Sequence, residues 1–584
     1  MADLLREDVG AELTLRGMVL GILITLVFTA ANVYFGLKSG LTFATSIPAA
    51  VISMALLRGF RGVTIQENNI VQTVASAAGT LGSIIFVLPG LVMIGWWTGF
   101  PYGISFTICA VGGTLGVMYS IPLRRALVTN SSLPYPEGVA CAEVLKVGGS
   151  ESLGSGVVGR HGLAAMVWGS IISSAFAVVI ATQLFAGDVA QYFRVGSKGA
   201  ISGFDFSLSF ALLAVGHLVG LWCGIAMLVG ALIAWGGAVP YLTLLHPAPG
   251  SAETVGLAVW GQQVRFIGAG AIGTAAIWTL VSLLRPLVGG LSEAMAASRL
   301  RRTGRGGELR RVERDIPIGI VALVTLVCML PIGILLAHIG TVSGLGDHLI
   351  LLVTGGVTYI ALMSFFVAAV CGYMAGLIGA SNSPLSGIGI IAVLGAALLL
   401  VLFVKPLLAP SASAALVAYA LFLTSVVFCA AAISNDNLQD LKTGQLVGAT
   451  PWRQQVALVV GVIAGATVIP PVMDLLNKAY GFAGTPGADP AHALAAPQAA
   501  LISALAQGVI QRNLEWSLLG AGVLIGLGLI VLDLALKRGT RASLPPLAVG
   551  LGIYLPTSTT MMIVVGAVAG WAYERRAART ADPD

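Results

Sequence analysis

Apolar runs long enough to cross a bilayer recur from Leu13 to Trp571, and no polar block between them is large enough to form a soluble domain. A membrane helix needs about 20 apolar residues, and in lipid every backbone group must find its partner inside the protein. The chain is therefore expected to be an all-α polytopic integral membrane protein of about 14–16 membrane helices, some of them re-entrant or broken half-helices. Composition agrees. Of the 584 residues 57% are hydrophobic and only 10% charged, against about 25% charged in soluble domains. The 75 glycines fit helices that pack closely, bend and break inside a bilayer.

Basic residues set the expected orientation. Arg58 with Arg61, Arg124 with Arg125, and Lys537, Arg538 and Arg541 fall between apolar runs, as cytoplasmic turns require. The strongest signal is the central loop, residues 287–314, where Arg299, Arg301, Arg302, Arg305, Arg310, Arg311 and Arg314 outnumber Glu308 and Glu313. This loop divides a single membrane domain, 1–584, into a first half (13–286) and a second half (315–573). Concentration of the +6 net charge in such loops explains it without a nucleic-acid partner. Met1–Arg16 lacks the order of a cleaved signal, so the first span is expected to be retained.

Several segments resist reading as simple spans. Ser131–Lys146 is too short to cross, which leaves a re-entrant half-helix or a surface helix. Asp205–Leu245 is read as two spans with a tight turn, and Asn477–Asn513 as an outside loop with a short helix. Leu544–Trp571 is either one broken span or a hairpin of two short helices; Arg575, Arg576 and Arg579 favour the hairpin.

Two polar stretches stand out. Ser434-Asn-Asp-Asn-Leu-Gln-Asp-Leu-Lys-Thr-Gly444 follows the apolar run Ala412–Ile433 almost without a break, and Thr64-Ile-Gln-Glu-Asn-Asn-Ile-Val-Gln-Thr73 opens another run. Ionisable groups at membrane depth normally face a cavity or a partner. A Ser434 helix cap followed by a solvated loop is the plain alternative. Setting Asn69 against Asn437 aligns Gln66-Glu-Asn-Asn69 with Ser434-Asn-Asp-Asn437. Leu133-Pro-Tyr-Pro then faces Leu544-Pro-Pro-Leu, so the same order appears in both pseudo-repeated halves, a pointer to a transport site.

Glu67, Glu137, Glu143, Asp436, Asp440 and Lys442 are the ionisable groups in costly places. A proton-coupled carrier needs a carboxylate retuned as access switches, and Glu67 and Asp436 stand at nearly equivalent positions. Asn68, Asn69, Gln72, Asn382, Ser383, Asn435 and Asn437 offer neutral hydrogen bonds to a peptide-like backbone, and Tyr135 an amphipathic wall. Ion pairing of Asp440 with Lys442 is the structural alternative. Other motifs carry little. Gly154–Gly159 and Gly268–Gly273 match GxGxxG without the strand and acidic residue that nucleotide binding requires. Gly344-Leu-Gly-Asp347 lacks a second membrane aspartate for proteolysis, His217 is a lone imidazole, and the six cysteines show no metal spacing.

Asn32-Val-Tyr-Phe-Gly-Leu-Lys-Ser-Gly40, Ser132-Leu-Pro-Tyr-Pro-Glu-Gly-Val-Ala-Cys-Ala-Glu-Val-Leu145, Ser381-Asn-Ser-Pro384, Ser434–Gly444 and Gly552-Ile-Tyr-Leu-Pro556 together resemble the oligopeptide transporter (OPT) superfamily. They look closest to its prokaryotic members and its yellow stripe-like branch. Val33 departs from the Pro that many members carry there. The resemblance implies a proton-coupled secondary carrier importing small peptides or, as in the yellow stripe-like branch, metal chelates or siderophore-like complexes. It needs no cofactor beyond the coupling proton. It also implies a place in the bacterial cytoplasmic (inner) membrane, surrounded by lipid, with room for a homodimer. Carried onto this chain, the pathway candidates are Glu67, Asn68, Asn69, Tyr135, Glu137, Asn382, Ser383, Asp436, Asn437, Asp440 and Lys442, with Gln72 added by its spacing. The acidic residues are assigned to proton or substrate-amine contact and Lys442 to a carboxylate. An intramembrane enzyme is the rival from another class.

Overall fold

The computed structural model describes residues 11–39, 44–148, 182–196, 199–275, 310–381, 385–409, 412–482, 496–512, 516–539 and 543–580, with isolated residues and short pieces between them. Asn382 and the Gly154–Gly159 motif lie outside the described residues. In chain order, the principal elements are α1 (Leu15–Ser39), α2 (Ser46–Leu57), α3 (Ile65–Leu81), α4 (Tyr102–Arg124) and α5 (Pro136–Gly148), followed by strands β1 (Asp188–Val195) and β2 (Ala200–Ser207). Helices α6 (Phe210–Val219), α7 (Leu221–Ala231), α8 (Ile318–Val342), α9 (Leu349–Ile378), α10 (Leu385–Leu399) and α11 (Ser413–Leu446) come next. Finally come α12 (Pro451–Tyr480), α13 (Pro497–Ile510), α14 (Trp516–Gly539), α15 (Pro546–Tyr554) and α16 (Thr557–Thr580).

Among the described residues, ten helical segments are long and apolar enough to cross a membrane, and the protein is an all-α polytopic membrane protein as expected. The chain divides into two compact units. One comprises residues 1–160, 283–376 and 380–514; the other comprises 161–282, 377–379 and 515–584. Each unit therefore draws on sequence from both sides of the central basic loop.

The first unit is built around α11. At roughly 1.5 Å per residue its 34 residues far exceed the thickness of a bilayer core of about 30 Å. Between Ala415 and Gly444 every residue except Lys442 is buried. The polar stretch is thus the second half of one helix and not a loop after a span. No proline or glycine interrupts it before Gly444, and neighbouring helices satisfy side chains that would otherwise favour turns. It ends where Gly448 takes φ +71° and the Ala449 N–H reaches back to the Gly444 carbonyl at 2.8 Å, a left-handed C-terminal cap.

Helix α4 lies against α11 at near-contact distance. A Cβ at Gly116 would stand 2.7 Å from the Ala430 carbonyl oxygen and 2.9 Å from the Ile433 Cβ, so only glycine admits this approach. Helix α3 starts at Thr64, whose side chain accepts the Glu67 N–H at 3.0 Å, and its polar first turns are buried, as expected. The half-helix α5 is interior. Cys141, Ala142 and Leu145 pack with Ala50, Val447 and Ala449, while Glu143 and Lys146 pair at 2.9 Å on its exposed side. Helix α13 is the short helix expected within Asn477–Asn513, and it is packed inward: Ile502, Leu505, Ala506 and Val509 are buried, and it packs on α10 and α11.

The second unit holds, among the described residues, a strand pair that an all-helical expectation leaves out. Strands β1 and β2 pair antiparallel from Asp188 with Ser207 to Val195 with Ala200. Aromatic and β-branched residues in both strands suit a pleated surface. The segment expected to be two spans starts within this hairpin and continues as α6 and α7, divided at Gly220. The last segment is two helices, α15 and α16, divided at Leu555–Pro556.

Replacing Gly116 by valine is expected to cost about 1–3 kcal/mol through overpacking, read as a lower Tm in detergent. Gly528→Ala, where nothing lies within 4 Å of the added Cβ, should leave Tm unchanged. Equal melting of the two variants would contradict this account of the α4–α11 contact.

Candidate functional site

Helical geometry sorts the polar residues of α3 onto separate faces. Glu67 turns toward α1: Arg16 donates to it from Nε at 2.6 Å and Nη2 at 2.7 Å, and the Thr14 hydroxyl donates at 2.5 Å. Asn68 turns toward α2, its Oδ1 accepting from the Ser53 hydroxyl at 2.6 Å. Asn69, Gln72, Thr73 and Ser76, spaced i, i+3, i+4 and i+7, form a third face. That face meets α11 and α12. The Ser76 hydroxyl donates to Asp436 Oδ2 at 2.5 Å, and the Gln454 amide donates to Thr73 Oγ1 at 3.0 Å and to the Asp440 carbonyl at 2.6 Å.

On α11, Asp436, Asn437 and Asp440 share one side, since residues three and four apart are neighbours. Asp440 stands beside Gln72 and Ser76, and Asp436 and Glu137 are both close enough to act on it electrostatically. Neither carboxylate oxygen of Asp440 has a hydrogen-bond partner among the described residues, nor have Gln72 Oε1, Asn437 Oδ1, Asn435 Oδ1 and Glu137 Oε2. All five side chains are buried. Buried polar atoms are otherwise nearly always paired. From Ile65 to Ser76 the helix rises about 16 Å, so this cluster lies well inside the helix and away from its first turn.

A second group of residues fixes the start of α5 to α11. The Gly138 N–H donates to Gln439 Oε1 at 2.7 Å, Thr443 Oγ1 donates to the Gly138 carbonyl at 2.9 Å, and Gln439 Nε2 donates to the Ala375 carbonyl at 2.6 Å. Glu137 Oε1 accepts the Ser381 N–H at 2.9 Å. Tyr135, between two prolines, is held at φ +45° with its N–H on the Gly376 carbonyl at 2.8 Å. Its ring is buried and its hydroxyl has no partner among the described residues. A non-glycine residue in the left-handed region stores strain of about 1–3 kcal/mol, and such strain gathers at functional sites.

Two other buried carboxylates of this unit are fully compensated. Glu12 is 1% exposed. It accepts from the Thr450 N–H at 3.0 Å and hydroxyl at 2.8 Å, with Arg311 at 3.3 Å and Arg453 at 3.7 Å. Asp315 receives both Nε and Nη2 of Arg124 at 2.7 and 2.9 Å and the Gln455 amide at 2.7 Å. With the Arg16–Glu67 pair these form a layer of ion pairs at the arginine-bearing end of the unit.

Of the residues singled out in the sequence, Gln72, Glu137, Asp436 and Asp440 come together, with Asn69 bonded to Gln72, while Asn437, one turn before Asp440, donates from Nδ2 to the Ser120 hydroxyl of α4 at 3.3 Å. Glu67 and Asn68 point elsewhere, and Ser383 is buried with an unpartnered hydroxyl. Lys442 bonds Gln445 at 3.1 Å and not Asp440, because residues two apart on a helix face different ways. Ser76, Thr73, Gln439, Thr443 and Gln454 were missed. For the first four the signal was present: they continue the i+3 and i+4 spacing of residues already chosen.

Comparison with known proteins identifies the family. The family described as "OPT oligopeptide transporter protein" matches residues 12–582. A Haemophilus influenzae protein carrying the name "Putative oligopeptide transporter" is 44% identical over 562 residues, covering 94% of this chain and 86% of the relative. In Oryza sativa subsp. japonica, the iron-phytosiderophore transporter YSL15 is 30% identical over 262 residues, 38% of each chain. The metal-nicotianamine transporter YSL2 of the same plant is 26% identical over 290 residues, 40% of each chain.

The two kinds of buried carboxylate should respond differently to neutralisation. Asp315→Asn breaks a buried, bidentate ion pair and is expected to cost about 3–5 kcal/mol. Asp440→Asn removes a carboxylate that accepts no hydrogen bond and should leave Tm in detergent unchanged or higher. Comparable losses in both variants would make Asp440 a structural residue.

Proposed function

We propose, on the premise that this chain belongs to the OPT oligopeptide transporter family, that it imports small oligopeptides by alternating access and couples import to protons. It is a transporter and not an enzyme. The membrane is the bacterial cytoplasmic membrane, and the end of the first unit bearing Arg16, Arg124, Arg311 and Arg453 faces the cytoplasm, in keeping with positive-inside bias.

The observation that carries the reading is the buried trio of Asp436, Asp440 and Glu137, with no cation among them in the described residues. A carboxylate buried without compensation costs far more than a carboxylic acid, so protons stabilise the closed arrangement seen here. When the cluster opens to water, the charged form is solvated and a proton can leave. Asp436 on Ser76 and Glu137 on the Ser381 N–H are the proton carriers, while Asp440, Asn69, Gln72 and Asn437 line the substrate path with Tyr135. Ser383 and Lys442 belong to its rim. Glu67, Asn68 and the ion-pair layer close the cytoplasmic end, so that inward opening requires Arg16 to release Glu67. Transport of metal chelates is the second reading. It is favoured by the two rice relatives, whose names state such cargo but which align with only 38% and 40% of this chain.

In reconstituted vesicles an acid-outside pH gradient should raise uptake of short peptides by about tenfold or more, the effect of some 1.4 kcal/mol of driving force. Asp436→Asn should abolish the gradient-driven part and keep peptide exchange between preloaded vesicles. Uptake indifferent to the gradient would defeat proton coupling, and uptake of iron or nickel chelates but no peptide would defeat the peptide reading.

A further inference from the structure

The unpaired atoms of the cluster are nearly all of one kind. Six buried side-chain oxygens lack a donor: Gln72 Oε1, Glu137 Oε2, Asn435 Oδ1, Asn437 Oδ1 and both oxygens of Asp440. Two of the amides are oriented by their own nitrogen. Asn435 Nδ2 donates to the Ala380 carbonyl at 3.1 Å, and Gln72 Nε2 to Asn69 Oδ1 and Thr73 Oγ1 at 3.1 Å. Their oxygens are therefore the ends left over. Against these acceptors stand few donors, Asn69 Nδ2 and the Tyr135 and Ser383 hydroxyls. The nearby cations are committed: Arg16 is closed on Glu67, and half-buried Lys442 bonds Gln445.

We infer that this cluster holds the free ammonium group of the transported peptide, on Asp440 with Gln72 and Asn437, and does not hold its carboxylate. The inference rests on the peptide-transport reading and deepens it by assigning one end of the substrate. An ammonium brings three donors and one positive charge, enough for three of the six leftover oxygens and opposite in sign to the carboxylates among them. A carboxylate would bring further acceptors and a like charge beside Asp436, Asp440 and Glu137, leaving the existing oxygens unpaired at full desolvation cost. Helical spacing places Asp440 between Asp436 and Asn437, with Gln72 of α3 and Glu137 of α5 beside it. An ammonium on Asp440 thus touches three helices, and its arrival changes the charge balance felt by both proposed proton carriers.

The test uses the purified full-length chain in detergent, with binding measured calorimetrically for trialanine, N-acetyl-trialanine and trialanine amide. Acetylation, which removes the charge and donors of the amine, should weaken binding by about hundredfold, the loss of two charge-assisted hydrogen bonds at roughly tenfold each. Amidation of the carboxyl end should change binding by less than about threefold. Asp440→Asn should bring trialanine down to the affinity of its acetylated form and leave the acetylated form unaffected. Should Asp440→Asn not yield folded protein, Gln72→Leu serves, with a loss of about tenfold confined to the free amine. Equal binding of free and acetylated peptide, or a larger loss on amidation than on acetylation, overturns the inference while leaving peptide transport standing. So does a sodium or potassium dependence that Asp440→Asn abolishes, since an inorganic cation would then occupy the oxygens. Binding of none of the three peptides overturns the peptide reading itself, and the inference with it.

Discussion

Inside a bilayer a polar side chain has only the protein to bond with, and α11 is the helix on which that constraint falls hardest. It carries two aspartates, two asparagines, a glutamine and a threonine within ten residues, Ser434–Thr443, all of them buried. Such a helix is tolerable only when encased. The surrounding architecture follows from that need. Helix α4 closes one side through its glycines, α3 offers a matching polar face, and the start of α5 is drawn inward to supply and accept hydrogen bonds through Gly138.

Compensation is not uniform, and its unevenness separates scaffold from site. At the arginine-bearing end every described buried carboxylate is met by a guanidinium or several donors. A few turns deeper, oxygens are left without donors although amides and hydroxyls nearby are engaged. Native interiors seldom leave such atoms alone without a functional reason. The contrast arises within one unit and along the same helices. It therefore reflects which residues stand at each depth, and not a general looseness of packing.

Much of this could be read from the chain alone. The membrane class followed from the length of apolar runs, and the two polar stretches announced themselves by interrupting those runs. The similarity of the two stretches pointed to a shared site, and α3 and α11 do meet there. What could not be read was direction. Glu67 and Asp436 look equivalent in the alignment, yet Glu67 sits in the first turn of its helix beside Arg16 while Asp436 lies far along another. One-dimensional similarity does not record which face of a helix meets which neighbour. The hairpin Asp188–Ser207 was invisible for another reason: Asp188, Gln191, Arg194, Lys198 and Asp205 interrupt its apolar and aromatic residues, so it reads as a polar connection between spans. Asp315 and Glu12 escaped notice because each lies at the edge of a span, where a charge is unremarkable until its distant arginine is known.

The ligands of Glu12 have a consequence for biogenesis. Its partner Thr450 lies 438 positions away along the chain, with Arg311 and Arg453 also distant, and closing so long a loop precedes any reward from the contact. During synthesis the N-terminal segment must therefore wait, with an acidic group that has no place to go, while the whole second unit's first portion and the central loop emerge. The first unit is complete only once the helix that follows Thr450 has been inserted. A chain ending before that point would lack the donors that Thr450 and Arg453 supply to Glu12, so residues 450–453 complete the burial of a charge laid down at the other end of the sequence.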